Sequence, residues 1–304
     1  SIDKKILLVS HMELGKEHSD QKSILKYCRE NNIFSNKYEQ VLLNAGLKPH
    51  SWNIKTPTES TFRSRSLLFF FFFIYIANKI SPQCQLIVPE NGTISINIPL
   101  DSGRRSSCST RTTHPTFIKR IQEALYTIGI SNSIYNPYRL KSKADMVLEC
   151  CQDTSKKAIL KSLVDLSCSC AKRGHNVFWD KSGIEIRNAK IKHCGMCLPC
   201  LYRRVALDTI GLDNEALLGT DVLHGIKFNL DNKHQKRNRD FNALLYFLKN
   251  RMNERTIRQE LFFNGIIEKQ ELDEYTSLAL HSYRQVINWL KKKATNEIQI
   301  RAGI

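Results

Sequence analysis

The chain predicts an α/β fold, a parallel sheet flanked by helices, with a structural metal knuckle and a helical C-terminal region. Three observations predict it. Ile6-Leu-Leu-Val-Ser10 is a continuous apolar run of strand length, and it is followed by a helical segment and a second apolar run. Cys194, Cys197 and Cys200 sit at Cys-x2-Cys spacing. Beyond Leu201 nearly every segment carries a helical period.

Taken in order, Ile6 to Ser10 reads as a buried parallel strand, Ser19 to Asn31 as a polar helix, and Glu39 to Ala45, with Val41, Leu42 and Leu43, as the next strand. The chain starts with Ser-Ile-Asp-Lys-Lys, not methionine, and reaches its first strand at once. The expectation is that the natural protein extends further toward its N-terminus. Leu67 to Ala77 is an unbroken apolar stretch holding five consecutive phenylalanines, Phe69 to Phe73. It is shorter than the ~20 residues a bilayer span requires, so it predicts a buried helix under the sheet and not a membrane segment.

Gln85-Leu-Ile-Val88 predicts a strand ending in Pro89-Glu-Asn-Gly92. In open α/β sheets ligands collect at strand C-termini, which makes Glu90 and Asn91 candidate binding residues; a simple Asn-Gly turn is the competing reading. Asp101 to Pro115 is a loop dense in Arg, Ser and Thr, including Arg104, Arg105, Thr110, Arg111, Thr113 and His114. Thr116 to Ile128 follows as an amphipathic helix with Phe117, Ile121, Ala124 and Leu125 on one face. Ser133 to Tyr138 is a short strand and turn; Lys143 to Cys151 and Lys156 to Leu163 are helical. Between Cys170 and His193, Asn176 to Trp179 and Gly183 to Ile186 predict a hairpin-like insertion. Helices are expected over Tyr202 to Ile210, Arg239 to Met252, Thr256 to Phe263 and Leu272 to Lys293. Their apolar stripes (Leu244, Phe247, Leu248; Leu278, Leu280, Val286, Ile287, Leu290) predict packing onto the main body, with a partner surface as the alternative. The domain boundary is expected after residue 211, giving 1–211, with the knuckle at 168–204, and a helical region at 212–304.

With 304 residues, 41% of them apolar, the chain can fill a core and is not disordered. Ten cysteines, three in a metal-type run, and an opening unlike a secretory signal predict a reducing cytoplasm. The formal charge of +17 attracts acidic partners: nucleotides, nucleic acid or an acidic protein. The basic runs at Arg104-Arg105, Lys233 to Arg239 and Lys291 to Lys293 are short and dispersed, which weakens the case for nucleic acid.

The motif with the most specific chemistry is His193-Cys-Gly-Met-Cys-Leu-Pro-Cys200, with Leu166-Ser-Cys-Ser-Cys170 upstream. Two consecutive Cys-x2-Cys steps suit tetrahedral zinc. Cys194, Cys197 and Cys200 supply three thiolates, and Cys168 is the favoured fourth. Cys170 is its rival, and His193 or His175 is able to replace a thiolate. Four thiolates close the zinc shell, so the metal is expected to be structural, and chemistry must come from elsewhere.

Ser167-Cys168 followed by Cys194-Gly-Met-Cys-Leu-Pro-Cys-Leu-Tyr-Arg-Arg204 resembles the zinc signature of the QueC/ExsB (7-cyano-7-deazaguanine synthase) family. Lys141-Ser-Lys-Ala-Asp-Met146 is similar to that family's lysine-centred helix start, with Lys143 at the lysine. Pro89-Glu-Asn-Gly with Ser109-Thr-Arg-Thr-Thr-His-Pro115 more closely resembles the QueC-like QatC proteins of the bacterial Qat anti-phage defence system. The resemblance spans roughly residues 1 to 212. It implies an ATP-pyrophosphatase fold, of the adenine nucleotide alpha-hydrolase type, in which ATP with magnesium activates a carboxylate as an acyl-adenylate for attack by an amine or ammonia. By position and residue type, with Lys143 also at the family's lysine, Lys143 and Arg111 are expected to be the catalytic cations and Arg65, Glu90, Asn91, Thr110, Thr113 and His114 to contact ATP or a deazaguanine-like substrate; the resemblance implies protein partners from a defence system.

Two features depart from the family. Its phosphate loop, Ser-Gly-Gly-x-Asp-Ser, does not occur in these residues, which fits a missing N-terminal portion. The gap before Cys194 is also longer than usual. Two other functions therefore remain: a zinc-stabilised basic nucleic-acid-binding module, and a catalytically inactive scaffold whose helical tail recruits partners.

Overall fold

The computed structural model describes residues 6–11, 16–33, 37–43, 63–101, 111–173, 176, 179–224 and 238–304. Arg104, Arg105, Ser109, Thr110, His175 and Lys233 to Lys236 lie outside the described residues, as does the side chain of Arg65. The chain is α/β with helix predominating, and it divides into two compact units. One comprises residues 1–86, 130–133 and 161–168; the other comprises 87–129, 134–160 and 169–304. The predicted boundary at 211 is not where this division falls: the cysteine run and the C-terminal helices belong to one unit.

In the first unit, β1 (Ile6–His11), α1 (Lys16–Glu30) and β2 (Tyr38–Leu43) form the expected strand, helix, strand order. β1 pairs with β2 in parallel, from Ile6 opposite Tyr38 to His11 opposite Leu43. The strand is less buried than its composition predicts, because Ile6 and Leu8 are exposed. The phenylalanine run lies in α2 (Arg63–Ile80). Phe70, Ile74 and Ala77, at helical spacing, are buried, while Leu67, Leu68, Phe71 and Tyr75 are exposed, so only one face of the expected buried helix is covered. Among the described residues no helix is long and apolar enough to cross a membrane.

β3 (Leu86–Ile87) runs alongside β4 (Ile134–Tyr135). The bonds Leu86 N–H to Ser133 O and Val88 N–H to Tyr135 O advance two residues on each side, the mark of a parallel pair. Among the described residues the strands form two separate two-stranded ladders and not one wide sheet.

The second unit adds α3 (Gly92–Ile96), α4 (Pro115–Thr127), α5 (Lys143–Cys150), α6 (Thr154–Val164), which runs into the first unit, α7 (Gly183–Asn188) and α8 (Leu198–Asp208). Its C-terminal helices are α9 (Arg239–Asn250), α10 (Glu254–Phe263), α11 (Lys269–Lys293) and α12 (Asn296–Ala302). Helix α7 corrects the predicted hairpin. Ser182 accepts from the Glu185 amide and Glu185 accepts in return from the Ser182 amide, so a capping box starts a helix where alternation in Gly-Ile-Glu-Ile suggested a strand.

The core of this unit is centred on α8, α9 and α11. Leu244, Phe247, Val286 and Leu290 from the predicted stripes are fully or almost fully buried, each contributing about 1.5–3 kcal/mol of apolar burial. Arg204 of α8 ties this core together. Its guanidinium donates to Asp213 at 3.1–3.2 Å and to Glu215 at 2.7 Å, and lies 5.0 Å from the centre of the Trp289 ring of α11. It is 1% exposed, a buried and paired charge.

Candidate metal centre and adjacent polar site

The cysteine run turns tightly because Gly195 adopts φ +80°, and a Cβ there would come within 2.3 Å of the Thr220 carbonyl. The Met196 and Cys197 amides both donate to Cys194 Sγ at 3.3 Å. Cys197 then N-caps α8 with Pro199 in its first turn, placing Cys197 and Cys200 at the positive end of an eleven-residue helix that favours thiolates.

The fourth sulfur of the group is that of Cys170, not Cys168. The Sγ atoms of Cys170, Cys194, Cys197 and Cys200 all lie within 4.8 Å of one another. Three backbone interactions place Cys170: the Lys172 amide donates to its sulfur at 3.4 Å, the Cys194 amide at 3.3 Å, and the Ser169 amide donates to His193 Nε2 at 3.3 Å. Burial is the main reason His193 is held neutral, with its pKa lowered to about 4, and the ring serves as an acceptor for the loop and not as a member of the sulfur group.

The geometry fits a tetrahedral ion. A metal–sulfur bond of about 2.3 Å gives a tetrahedron edge of about 3.8 Å, and Cys194 Sγ lies 3.8 Å from Cys200 Sγ. Hydrogen bonding from the neighbouring thiols, Cys170 foremost, pulls the Cys194 and Cys197 pKa values down, while hydrogen bonding within the same group pushes those of Cys170 and Cys200 up. The four-cysteine group is compatible with a structural zinc ion.

Comparison with known protein families, curated proteins and solved structures finds no match.

Next to the cysteines lies a polar cluster drawn from three segments. Ser142 and Asp145 form a capping box that starts α5 and sets Lys143 at its first position. Desolvation lowers the Lys143 pKa, opposed by the charge of Glu90 and aided by Arg203; the Cys200 sulfur is also within its electrostatic reach. Burial raises the Glu90 pKa, and Lys143 opposes the rise. Glu90 and Lys143 thus influence one another electrostatically, in a partly desolvated setting near the four-cysteine group.

Asn91, expected to meet a ligand, is engaged within the fold. Its Oδ1 accepts from the Ile94 amide at 3.0 Å, capping α3, and its Nδ2 donates to Glu90 at 2.7 Å. Gly92 is required by packing: a Cβ would come within 2.1 Å of the Arg139 carbonyl. Thr93 then hydrogen-bonds Ser282 of α11 at 2.7 Å.

Thr113 shares a 3.0 Å hydroxyl hydrogen bond with Ser95, and Asn136 donates to the Glu90 carbonyl at 2.8 Å and more weakly to Ser95 at 3.5 Å. This relay joins the turn at 111–114 to the Glu90 segment. His114 is 1% exposed and N-caps α4; burial first, then the nearby Arg111 charge, lowers its pKa to about 4. Arg111 pairs with Asn264 of the α10 C-terminus, a residue with no local sequence signal. Of the expected site residues, Glu90, Lys143, Arg111, Thr113 and His114 therefore belong to one connected region.

Proposed function

We propose that this protein is a zinc-braced, QueC-like ATP-dependent enzyme that adenylates the carboxylate of a deazaguanine-type substrate for amide or nitrile formation, in the service of bacterial anti-phage defence. The single observation that carries this reading is the electrostatic coupling of Glu90 with the desolvated Lys143, which the start of α5 sets near the four-cysteine group. In that role a zinc ion on Cys170, Cys194, Cys197 and Cys200 is structural, because four sulfurs leave no open coordination position.

The residues present fit the charge of the reactants in part. No Ser-Gly-Gly-x-Asp-Ser run occurs in these residues, so phosphate contact falls to cationic side chains, Lys143 and Arg111. ATP with magnesium supplies the adenylyl group, and pyrophosphate leaves as the substrate carboxylate oxygen bonds to the α-phosphorus. Lys143, desolvated before substrate arrives, is set to offset the negative charge that develops at phosphorus without reorganising water. The Glu90 charge favours the ammonium form of Lys143 and so opposes the effect of its desolvation.

Pyrophosphate release by the zinc-loaded chain supplied with ATP, magnesium and 7-carboxy-7-deazaguanine tests the reading. Release that falls about 10²-fold or more in Lys143→Met is expected; no release from the parent chain defeats it. A net charge of +17 supports one other reading, binding to nucleic acid, which predicts an affinity that falls steeply with salt.

A further inference from the structure

The turn Arg111-Thr-Thr-His114 closes through the His114 amide donating to the Arg111 carbonyl at 3.2 Å, so the two side chains stand at the ends of one tight turn. Arg111 Nη2 donates to Asn264 Oδ1, which brings the α10 C-terminus to the same place. Thr116 Oγ1 donates to the Gly265 carbonyl at 2.9 Å and fixes the start of α4 against that terminus. Each of the three residues here has a buried polar atom with no partner: Arg111 Nε, His114 Nε2 and Asn264 Nδ2. Arg111 Nε and Asn264 Nδ2 can only donate, and His114 Nε2 is a donor in one neutral tautomer. Unmatched buried donors are costly, and these three sit on residues joined by the Arg111–Asn264 hydrogen bond and the Arg111–His114 turn, so they call for an acceptor. No side chain caps the thirteen-residue helix α4, whose positive end is at His114.

We propose that Arg111, His114 and Asn264 form an oxyanion-binding site at the N-terminus of α4, one that takes a phosphate or carboxylate group of a ligand. The permanent guanidinium charge provides attraction, and the Asn264 amide and His114 ring provide directed donors. His114 suits this task as a neutral ring, since its depressed pKa leaves it uncharged at neutral pH. The site does not depend on the QueC-like reading: anion binding here with no pyrophosphate release retains the site and removes that reading.

The test titrates the full zinc-loaded chain with inorganic phosphate and, separately, with acetate at constant ionic strength, following the His114 ring and Asn264 amide signals by NMR. Saturable shifts of both signals are expected with at least one anion, and the anion that binds tells phosphate from carboxylate. The bound anion is expected to raise the His114 pKa by a unit or more. Asn264→Asp keeps the shape and the Arg111 partner but replaces the free donor by a negative charge, so binding should weaken at least tenfold while the melting temperature holds. Arg111→Lys, which keeps charge and loses the Nε donor, serves as the second variant and should weaken binding to a similar degree. Absence of saturation with either anion, or unchanged affinity in a folded Asn264→Asp or Arg111→Lys chain, overturns the proposal.

Discussion

The four-cysteine group and the Arg111–His114 turn lie in the same unit, yet they treat polar atoms in opposite ways. Around the cysteines, sulfur meets backbone amide at Cys170 and at Cys194, and the sulfurs are close enough to share one ion. Around Arg111, three nitrogens are buried without an acceptor. The first region satisfies its polar groups from its own backbone; the second carries the unmatched donors on which the proposed anion site rests.

The largest expected effect breaks the first half of that contrast. Structural zinc sites in small domains carry about 10–16 kcal/mol of binding free energy linked to folding. Cys197→Ser or Cys170→Ser is expected to abolish stoichiometric zinc, measured by atomic absorption, and to collapse the cooperative unfolding transition. Cys168→Ser should leave both intact; zinc loss on Cys168→Ser with retention on Cys170→Ser would reverse the assignment. Next comes Arg204→Ala, which strands Asp213 in the core and is expected to cost about 3–5 kcal/mol in urea denaturation.

A pH effect follows. His114 has a folded pKa of about 4 against about 6.5 when unfolded. The unfolded chain therefore binds the extra proton first, and stability present above pH 6.5 is lost as pH falls toward 4. The full difference is about 3 kcal/mol, and His114→Gln should flatten that part of the stability profile. Smallest is the stability change in Lys143→Met, within about 1 kcal/mol, because a desolvated cation is replaced by an apolar chain of similar length. The Glu90 carboxyl should then titrate higher than in the parent chain, since Lys143 no longer opposes the effect of burial.

Local signals were legible wherever the period was long enough. The helices over 115–127, 143–150 and 239–250, the parallel pairing of β1 with β2 and the three-cysteine run all follow from spacing. The six-residue helix α7 was hidden because a short segment shows either period, although the Ser182 and Glu185 capping pair was present in the chain. Cys168 and Cys170 are equivalent by spacing alone. The choice rests on backbone amides, those of Lys172 and Cys194, whose direction no residue type encodes. Asn264 was beyond reach for a different reason: it lies 153 positions from Arg111, and only tertiary packing brings the two together.

The placement of Cys170 also orders events in time. Cys194, Cys197 and Cys200 fall within seven consecutive residues, so their encounter requires little loop closure, whereas Cys170 must close a loop of 24 positions onto them. During refolding, three sulfurs can therefore gather a metal ion while the rest of the unit is still a loose chain. In a zinc-loaded chain, arrival of the fourth would then close the loop between Cys170 and Cys194, and metal uptake would proceed in two stages.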